Sequence, residues 1–251
     1  MNTTIIENAS LPSKGLIYEN PINPEIQLRS MTTNEEMLRL THSERPYKIL
    51  CDIIDACIVG DKPNISSYDM CLGDYQYLLH KLRIATYGSE YKIDTLCPIC
   101  KQINEVELDL DDFPILYYNE DLDKYFKFKL PGCGKEIEIR LQTPRSIDDI
   151  NIKVRDYKKN NKDSNIDPSL LYTIQSLISK IDGLVPSPMQ LDGFLRDMSM
   201  RDTNYILKCA EKLNSKIGLD TTFSVTCKGC GVDYDSPFRI TPEFFGPEID
   251  L

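Results

Sequence analysis

Tryptophan is absent from this chain of 251 residues, and histidine occurs only twice, at His42 and His80. The two histidines are isolated, and His80 falls inside a helical pattern, so both read as structural. No serine, cysteine or lysine stands in a motif that would assemble a nucleophile, a base and an orienting group. The glycine-rich phosphate loops G-x-x-x-x-G-K-[ST] and G-x-G-x-x-G are missing. So are the hydrolase and metalloprotease patterns G-x-S-x-G and H-E-x-x-H. No run approaches the ~18 apolar residues of a membrane span. Residues 1–7 lack a charged segment followed by an apolar one, which predicts no signal peptide and synthesis in a cytoplasm. Positive charge is in the minority: 29 Lys and Arg stand against 39 Asp and Glu, a net charge of −10. That balance disfavours a free duplex-DNA binder, and neither cysteine motif has an aromatic-basic surface beside it.

Cysteine is what the chain has in quantity. Nine are present, an odd number that disfavours a complete disulfide framework, and in a reducing compartment paired cysteines more often bind metal. Four of them form two matched pairs, Cys97-Pro98-Ile99-Cys100 and Cys227-Lys228-Gly229-Cys230. Each C-x-x-C lies between segments of period two, and such a turn aims two thiolates at one point. Gly229 and Gly231 supply backbone freedom at the second turn. The spacing predicts a structural Zn2+ held by Cys97, Cys100, Cys227 and Cys230. A full set of thiolates leaves no position for a catalytic water. One shared ion would close a loop of about 130 residues. The competing arrangement is two separate sites, completed from Cys133, His80 or His42. Cys51, Cys57, Cys71 and Cys209 read as small buried apolar residues. Cys133, in Pro-Gly-Cys-Gly, reads as a turn residue.

The periodicities predict an α+β fold, a mostly helical body with two zinc-ribbon-like β-hairpin knuckles and an additional β-hairpin. Residues 1–30 read as an extended, irregular arm with a short strand over Glu25–Arg29. Residues 31–90 are helical. A first helix starts near Thr33, with Thr32 or Thr33 as N-cap and Glu35 or Glu36 three residues on, a second covers Ser43–Val59, and a third covers Leu72–Tyr87, closed by Gly88. Residues 91–142 carry the first C-x-x-C hairpin and a second hairpin that turns at Pro131–Gly134. Residues 143–215 return to helix. Ser146 is the expected N-cap of the first helix there, and residues 158–165 read as a polar loop. Further helices are expected after Asp167-Pro168, over Pro188–Met198 and over Arg201–Leu213. Residues 216–251 hold the second C-x-x-C hairpin, with a strand over 233–240, packed against the first. A possible duplication is visible: helix, strand, C-x-x-C, strand and an acidic-aromatic-proline turn occur twice.

The N-terminal third also resembles a known family. Leu11-Pro-Ser-Lys-Gly-Leu-Ile-Tyr18 is followed by Ile26-Gln-Leu-Arg-Ser-Met-Thr-Thr-Asn-Glu-Glu-Met37. This is similar to the opening of baseplate hub and hub-assembly proteins of T-even-type contractile-tailed bacteriophages. Arg29, Met31, Thr32, Glu35 and Glu36 occupy the places of an R-x-M-T-x-x-E-E pattern. The resemblance covers about the first 90 residues, and the C-x-x-C turns more loosely. It implies a non-enzymatic virion protein of the tail baseplate, made in the host cytoplasm. Its partners would be other baseplate and tail proteins, with several copies in a symmetric assembly. The apolar arm, through Leu11, Pro12, Gly15, Leu16 and Tyr18, is then expected to lie along a neighbouring subunit as an added strand. The alternatives are a hub assembly factor absent from the finished virion, a nucleic-acid-binding zinc ribbon, and an enzyme using the Cys133 thiol.

Overall fold

The computed structural model describes residues 5–162, 164–238 and 242–245. The fold is α+β, with short helices interleaved with small antiparallel sheets. β1 (Ile6–Ser10) and β2 (Glu25–Arg29) form a hairpin and lead into α1 (Thr33–Arg39) and α2 (Pro46–Cys57). β3 (Ile58–Val59), α3 (Leu72–Tyr87), β4 (Glu90–Leu96) and β5 (Ile103–Asp109) follow. β6 (Ile115–Leu116), α4 (Asp123–Phe126), β7 (Lys127–Lys129) and β8 (Glu136–Ile139) lead to α5 (Pro144–Asn160) and α6 (Ser169–Leu177). The chain continues through β9 (Ile178–Ile181), α7 (Pro188–Arg196), α8 (Met200–Asn214), β10 (Gly218–Leu219), β11 (Thr222–Thr226) and β12 (Asp233–Pro237).

These elements repeat. The first sheet has the order β1-β2-β3 and another has the order β7-β8-β9, all antiparallel. In each, a hairpin is followed by two helices and a strand that returns to the hairpin's second strand. A long helix and a C-x-x-C hairpin follow: α3 with β4–β5, and, after the additional helix α7, α8 with β11–β12. The sequence echoes this faintly. Leu11-Pro-Ser-Lys-Gly15 answers Leu130-Pro-Gly-Cys-Gly134, and Glu25-Ile-Gln-Leu-Arg29 answers Glu136-Ile-Glu-Ile-Arg140. Both α1 and α5 open on a threonine N-cap with a reciprocal partner three residues on, Thr32 with Glu35 and Thr143 with Ser146. The duplication therefore extends well beyond the cysteine hairpins.

Each half has its own core. The first gathers Leu11, Ile26, Leu28, Ile53, Ile54, Leu78 and Leu82, joined from the far end of the chain by Phe238, Phe244 and Phe245. The second gathers Leu130, Ile137, Ile139, Ile174, Leu177, Ile206 and Leu213. Burial of such side chains stabilises each half by roughly 1.5–3 kcal/mol apiece. The halves are tied together by Asp148 on α5, fully buried, which accepts from Lys48 N at 3.0 Å and Tyr68 Oη at 3.0 Å and so caps the start of α2. They also meet where α3 begins. A Cβ built on Gly73 would lie 2.2 Å from the carbonyl oxygen of Ile217, so only glycine lets the two backbones approach. Gly73→Ala is expected to lower the urea midpoint by the equivalent of about 2 kcal/mol or more, because backbone rather than a side-chain tip must move. An unchanged midpoint would contradict this contact.

Several expectations differ from the structure. Residues 6–29 form a hairpin rather than an irregular arm, because Ile26 and Leu28 of β2 alternate into the core and β1 completes the pairing; residues 1–4 of the expected arm lie outside the described residues. Leu11, Pro12 and Gly15 are buried within the chain, Leu16 is exposed, and Tyr18 is half-buried. Within the chain, Leu11 and Tyr18 of this segment pack in the first core, and the segment also touches the second half. Tyr118 N donates to Pro12 O at 2.8 Å, and Ile17 packs against the second core. α2 starts at Pro46 and stops at Cys57, where Ile58 turns extended to pair with β2. The N-cap of α5 is Thr143, not Ser146, because Pro144 occupies the first helical position. α5 runs on through residues 158–160, expected as loop. Tyr125 and Phe126 belong to α4 rather than to the following strand. Residues 239 and 240, at the end of the expected last strand, lie outside the described residues.

Candidate metal centre

Two hairpin tips meet end to end. In the first, Cys97 N donates to Gln102 O at 2.9 Å and Lys101 N to Cys97 O at 3.1 Å. In the second, Cys227 N donates to Val232 O at 3.0 Å and Gly231 N to Cys227 O at 2.9 Å. Lys101 and Gly231 both take positive φ, 62° and 71°, which closes each turn and swings the second cysteine back toward the first. The two tips face one another about a local twofold. Cys97 Sγ lies 3.7 Å from Cys230 Sγ, and Cys100 Sγ lies 3.5 Å from Cys227 Sγ. Asn104 and Tyr234, which hold corresponding positions in the two hairpins, meet each other, with Asn104 Nδ2 donating to Tyr234 Oη at 3.1 Å. Asn104 Oδ1 also accepts from Lys228 N at 2.8 Å. Neither asparagine nor tyrosine was singled out in the sequence, since nothing in the C-x-x-C spacing points to a residue four or more positions downstream.

All four sulfurs lie within 4.8 Å of one another. Four thiolates at about 2.3 Å from a tetrahedral ion would be about 3.8 Å apart, close to the Cys97–Cys230 and Cys100–Cys227 separations here. The electrostatics agree. The Cys97 thiol is lowered by the backbone amides of Cys100 and Ile99. That of Cys227 is held down to about 6 by the amide of Cys230, with Gly229 also donating to its sulfur. Cys100 goes the other way. The Gln102 amide lowers it, but the neighbouring sulfurs of Cys227, Cys230 and Cys97, together with burial, outweigh that and push it up to about 12. Amides favour thiolate at this point while crowding of like charge opposes a full set, which is the imbalance a divalent cation removes. Cys97 and Cys227 are buried, and Cys100 and Cys230 are exposed.

The other candidate ligands lie elsewhere. Cys133 is exposed at the β7–β8 turn. His80 is buried in the first core between Phe244 and Phe113, and its Nε2 donates to Leu110 O at 2.8 Å. Its Nδ1 has no partner among the described residues. Burial pushes its pKa from 6.5 down to about 4. A group whose folded pKa lies below its unfolded one contributes stability above the unfolded value and loses it as pH falls. Stability is therefore expected to drop from pH 6.5 through pH 4, by about 2.5 kcal/mol at pH 4.5 from this residue. The check is the urea midpoint at pH 7 and pH 4.5, with the difference shrinking in His80→Gln. An equal difference in both proteins would remove His80 from the account. Cys51, Cys57, Cys71 and Cys209 are buried as expected of small apolar residues, and burial raises the thiol of Cys51 to about 12 and that of Cys57 to about 11.

The site is thus an all-sulfur cluster clamped between two hairpins of a duplicated α+β scaffold. Residues 3–246 match the family described as T4 bacteriophage base plate protein, and the chain belongs to that family. No curated protein and no solved structure matches the chain. Membership implies a tail component that contacts other phage tail proteins. Among the described residues, no helix is long and apolar enough to cross a membrane.

Proposed function

We propose that this protein is a structural, non-catalytic subunit of the baseplate hub of a contractile tail, with a zinc ion bound by Cys97, Cys100, Cys227 and Cys230. The observation that carries the zinc reading is the convergence of two hairpins, 130 positions apart, on a single cluster of four sulfurs. Thiolates select soft or borderline ions, and a four-sulfur tetrahedral set is the usual structural zinc site. The ion would be closed to water and substrate. Its work would be to fasten the C-terminal hairpin to the middle of the chain and so hold the two halves in one orientation. The subunit reading rests on family membership and on the absence of a catalytic motif in the sequence; its partners are other baseplate and tail proteins, in several copies. The hub placement rests on the likeness of residues 11–37 to hub and hub-assembly proteins.

Quantitative mass spectrometry of purified virions tests the subunit role. The expected result is this chain at a fixed copy number relative to other baseplate proteins. Its absence from finished virions, with baseplates failing to form when its gene is deleted, would replace the subunit role with that of an assembly factor.

A further inference from the structure

The two halves hold matching carboxylate clasps, and of the two only the first receives a tyrosine. In the first, α3 begins after its N-cap Cys71, and Asp74 accepts from Ser13 N at 2.9 Å and from the Ser13 hydroxyl. Tyr18 reaches into the same place: its hydroxyl donates to Asp74 Oδ2 at 2.5 Å and accepts from Cys71 N at 3.2 Å. Met70, Cys71 and Asp74 are buried beneath it. In the second half, α8 begins after its N-cap Ser199, and Asp202 accepts from Gly132 N at 2.6 Å and Cys133 N at 3.1 Å. Met198, Ser199 and Asp202 correspond to Met70, Cys71 and Asp74. The β7–β8 turn is too short to send back a tyrosine. A cavity of 460 Å³ stands at this point instead, lined by Gly132, Cys133, Phe194, Met198, Ser199 and Asp202.

The titration behaviour follows the filling. Burial raises the Asp74 carboxyl despite its hydrogen bonds from Ser13 and Tyr18. Burial also raises Asp202, but the amides of Gly132 and Cys133, the Ser199 hydroxyl and the Cys133 thiol together outweigh it and hold it below the usual carboxylate range. Asp202 is 1% exposed, yet it lines the cavity, and Phe194 and Met198 offer the walls an aromatic ring packs against.

We propose that this cavity is a docking socket for a tyrosine of another protein, whose ring lies against Phe194 and Met198 and whose hydroxyl donates to Asp202 as that of Tyr18 donates to Asp74. The occupant is a protein segment presenting tyrosine beside an aliphatic residue, the chemistry of Ile17-Tyr18. The proposal does not depend on the metal or on the hub placement.

A synthetic peptide of residues 15–22, Gly-Leu-Ile-Tyr-Glu-Asn-Pro-Ile, is the probe, titrated into the full chain and followed by amide NMR shifts. Saturable shifts centred on Gly132, Cys133 and Ser199–Asp202 are expected. The peptide with phenylalanine for tyrosine should bind about tenfold more weakly, the loss of one hydrogen bond to a charged acceptor. Gly193→Trp should abolish binding with an unchanged melting temperature, since a Cβ at Gly193, which lines the cavity, has nothing within 4 Å. No saturable binding, shifts centred on Asp74, equal affinity for the phenylalanine peptide, or unimpaired binding to the Gly193→Trp protein would each overturn the proposal.

Discussion

Replacing Cys227 and Cys230 together by serine is expected to lower the melting temperature by roughly 8–16 °C and to make the chain indifferent to chelator. The size follows from linkage. An ion present at about 1,000 times its dissociation constant adds about 4 kcal/mol to the folded state, and a chain of this length shifts by about 2–4 °C per kcal/mol. Structural zinc can contribute more than this in small fingers, about 10–16 kcal/mol, because those domains have no other core. Here two hydrophobic clusters exist without the ion, so the variant should melt lower and still fold. The loss should also be local. β11 and β12 pair with each other, and among the described residues their hold on the body beyond the sulfurs includes the Asn104–Tyr234 contact, the Thr95–Tyr234 contact at 2.7 Å, the bond from Lys228 N to Asn104 Oδ1 and the packing of Phe223 and Phe238. Amide exchange should therefore rise in residues 222–237 first, while α3 and α5 stay protected. Uniform loss of protection across both halves would mean that the clamp is inseparable from the cores.

Asp74→Ala is expected to cost about 3–5 kcal/mol, the range for removing one partner from a buried charged network. The side chain is fully buried, and its loss strands Ser13 N and the Ser13 hydroxyl and leaves the Tyr18 hydroxyl only the weak Cys71 Sγ acceptor at 3.7 Å. Those three groups hold residues 11–18 in place, and the same segment packs on the second core through Ile17. The variant should thus loosen the N-terminal hairpin and the contact between halves together. Asp202→Ala should cost less, about 1–2 kcal/mol, because water in the adjoining cavity can reach the freed amides. Urea midpoints of the two variants measure the difference, and equal losses would contradict the contrast between a filled and an open clasp.

The candidate site was legible because its chemistry is compressed into two four-residue motifs. A C-x-x-C between strands needs little context, and the structure brings all four sulfurs together. α3 was legible for a similar reason: its apolar stripe runs unbroken to Gly88, whose φ of 89° ends the helix. The errors arose where two periods overlap. Ile58 and Val59 continue the apolar pattern of α2, and only pairing with β2 makes them a strand. Ile178–Ile181 follows α6 in the same way and was missed altogether. The N-terminal hairpin is hard to see in the sequence because β1, Ile-Glu-Asn-Ala-Ser, carries little apolar alternation and is defined by its pairing with β2. The full duplication stayed hidden because the two clasps are linked to their strands by loops of unequal length. Its signature residues, Asp74 and Asp202, draw their meaning from donors more than 60 positions away.

Native mass spectrometry of the purified full-length chain tests the central claim most directly. One zinc ion per chain is expected, retained by the folded protein, released on unfolding, and absent from the Cys227→Ser, Cys230→Ser variant. A metal-free wild-type chain with unaltered stability after exposure to zinc, or two ions per chain bound by separate hairpins, would contradict a single clamp joining the two halves.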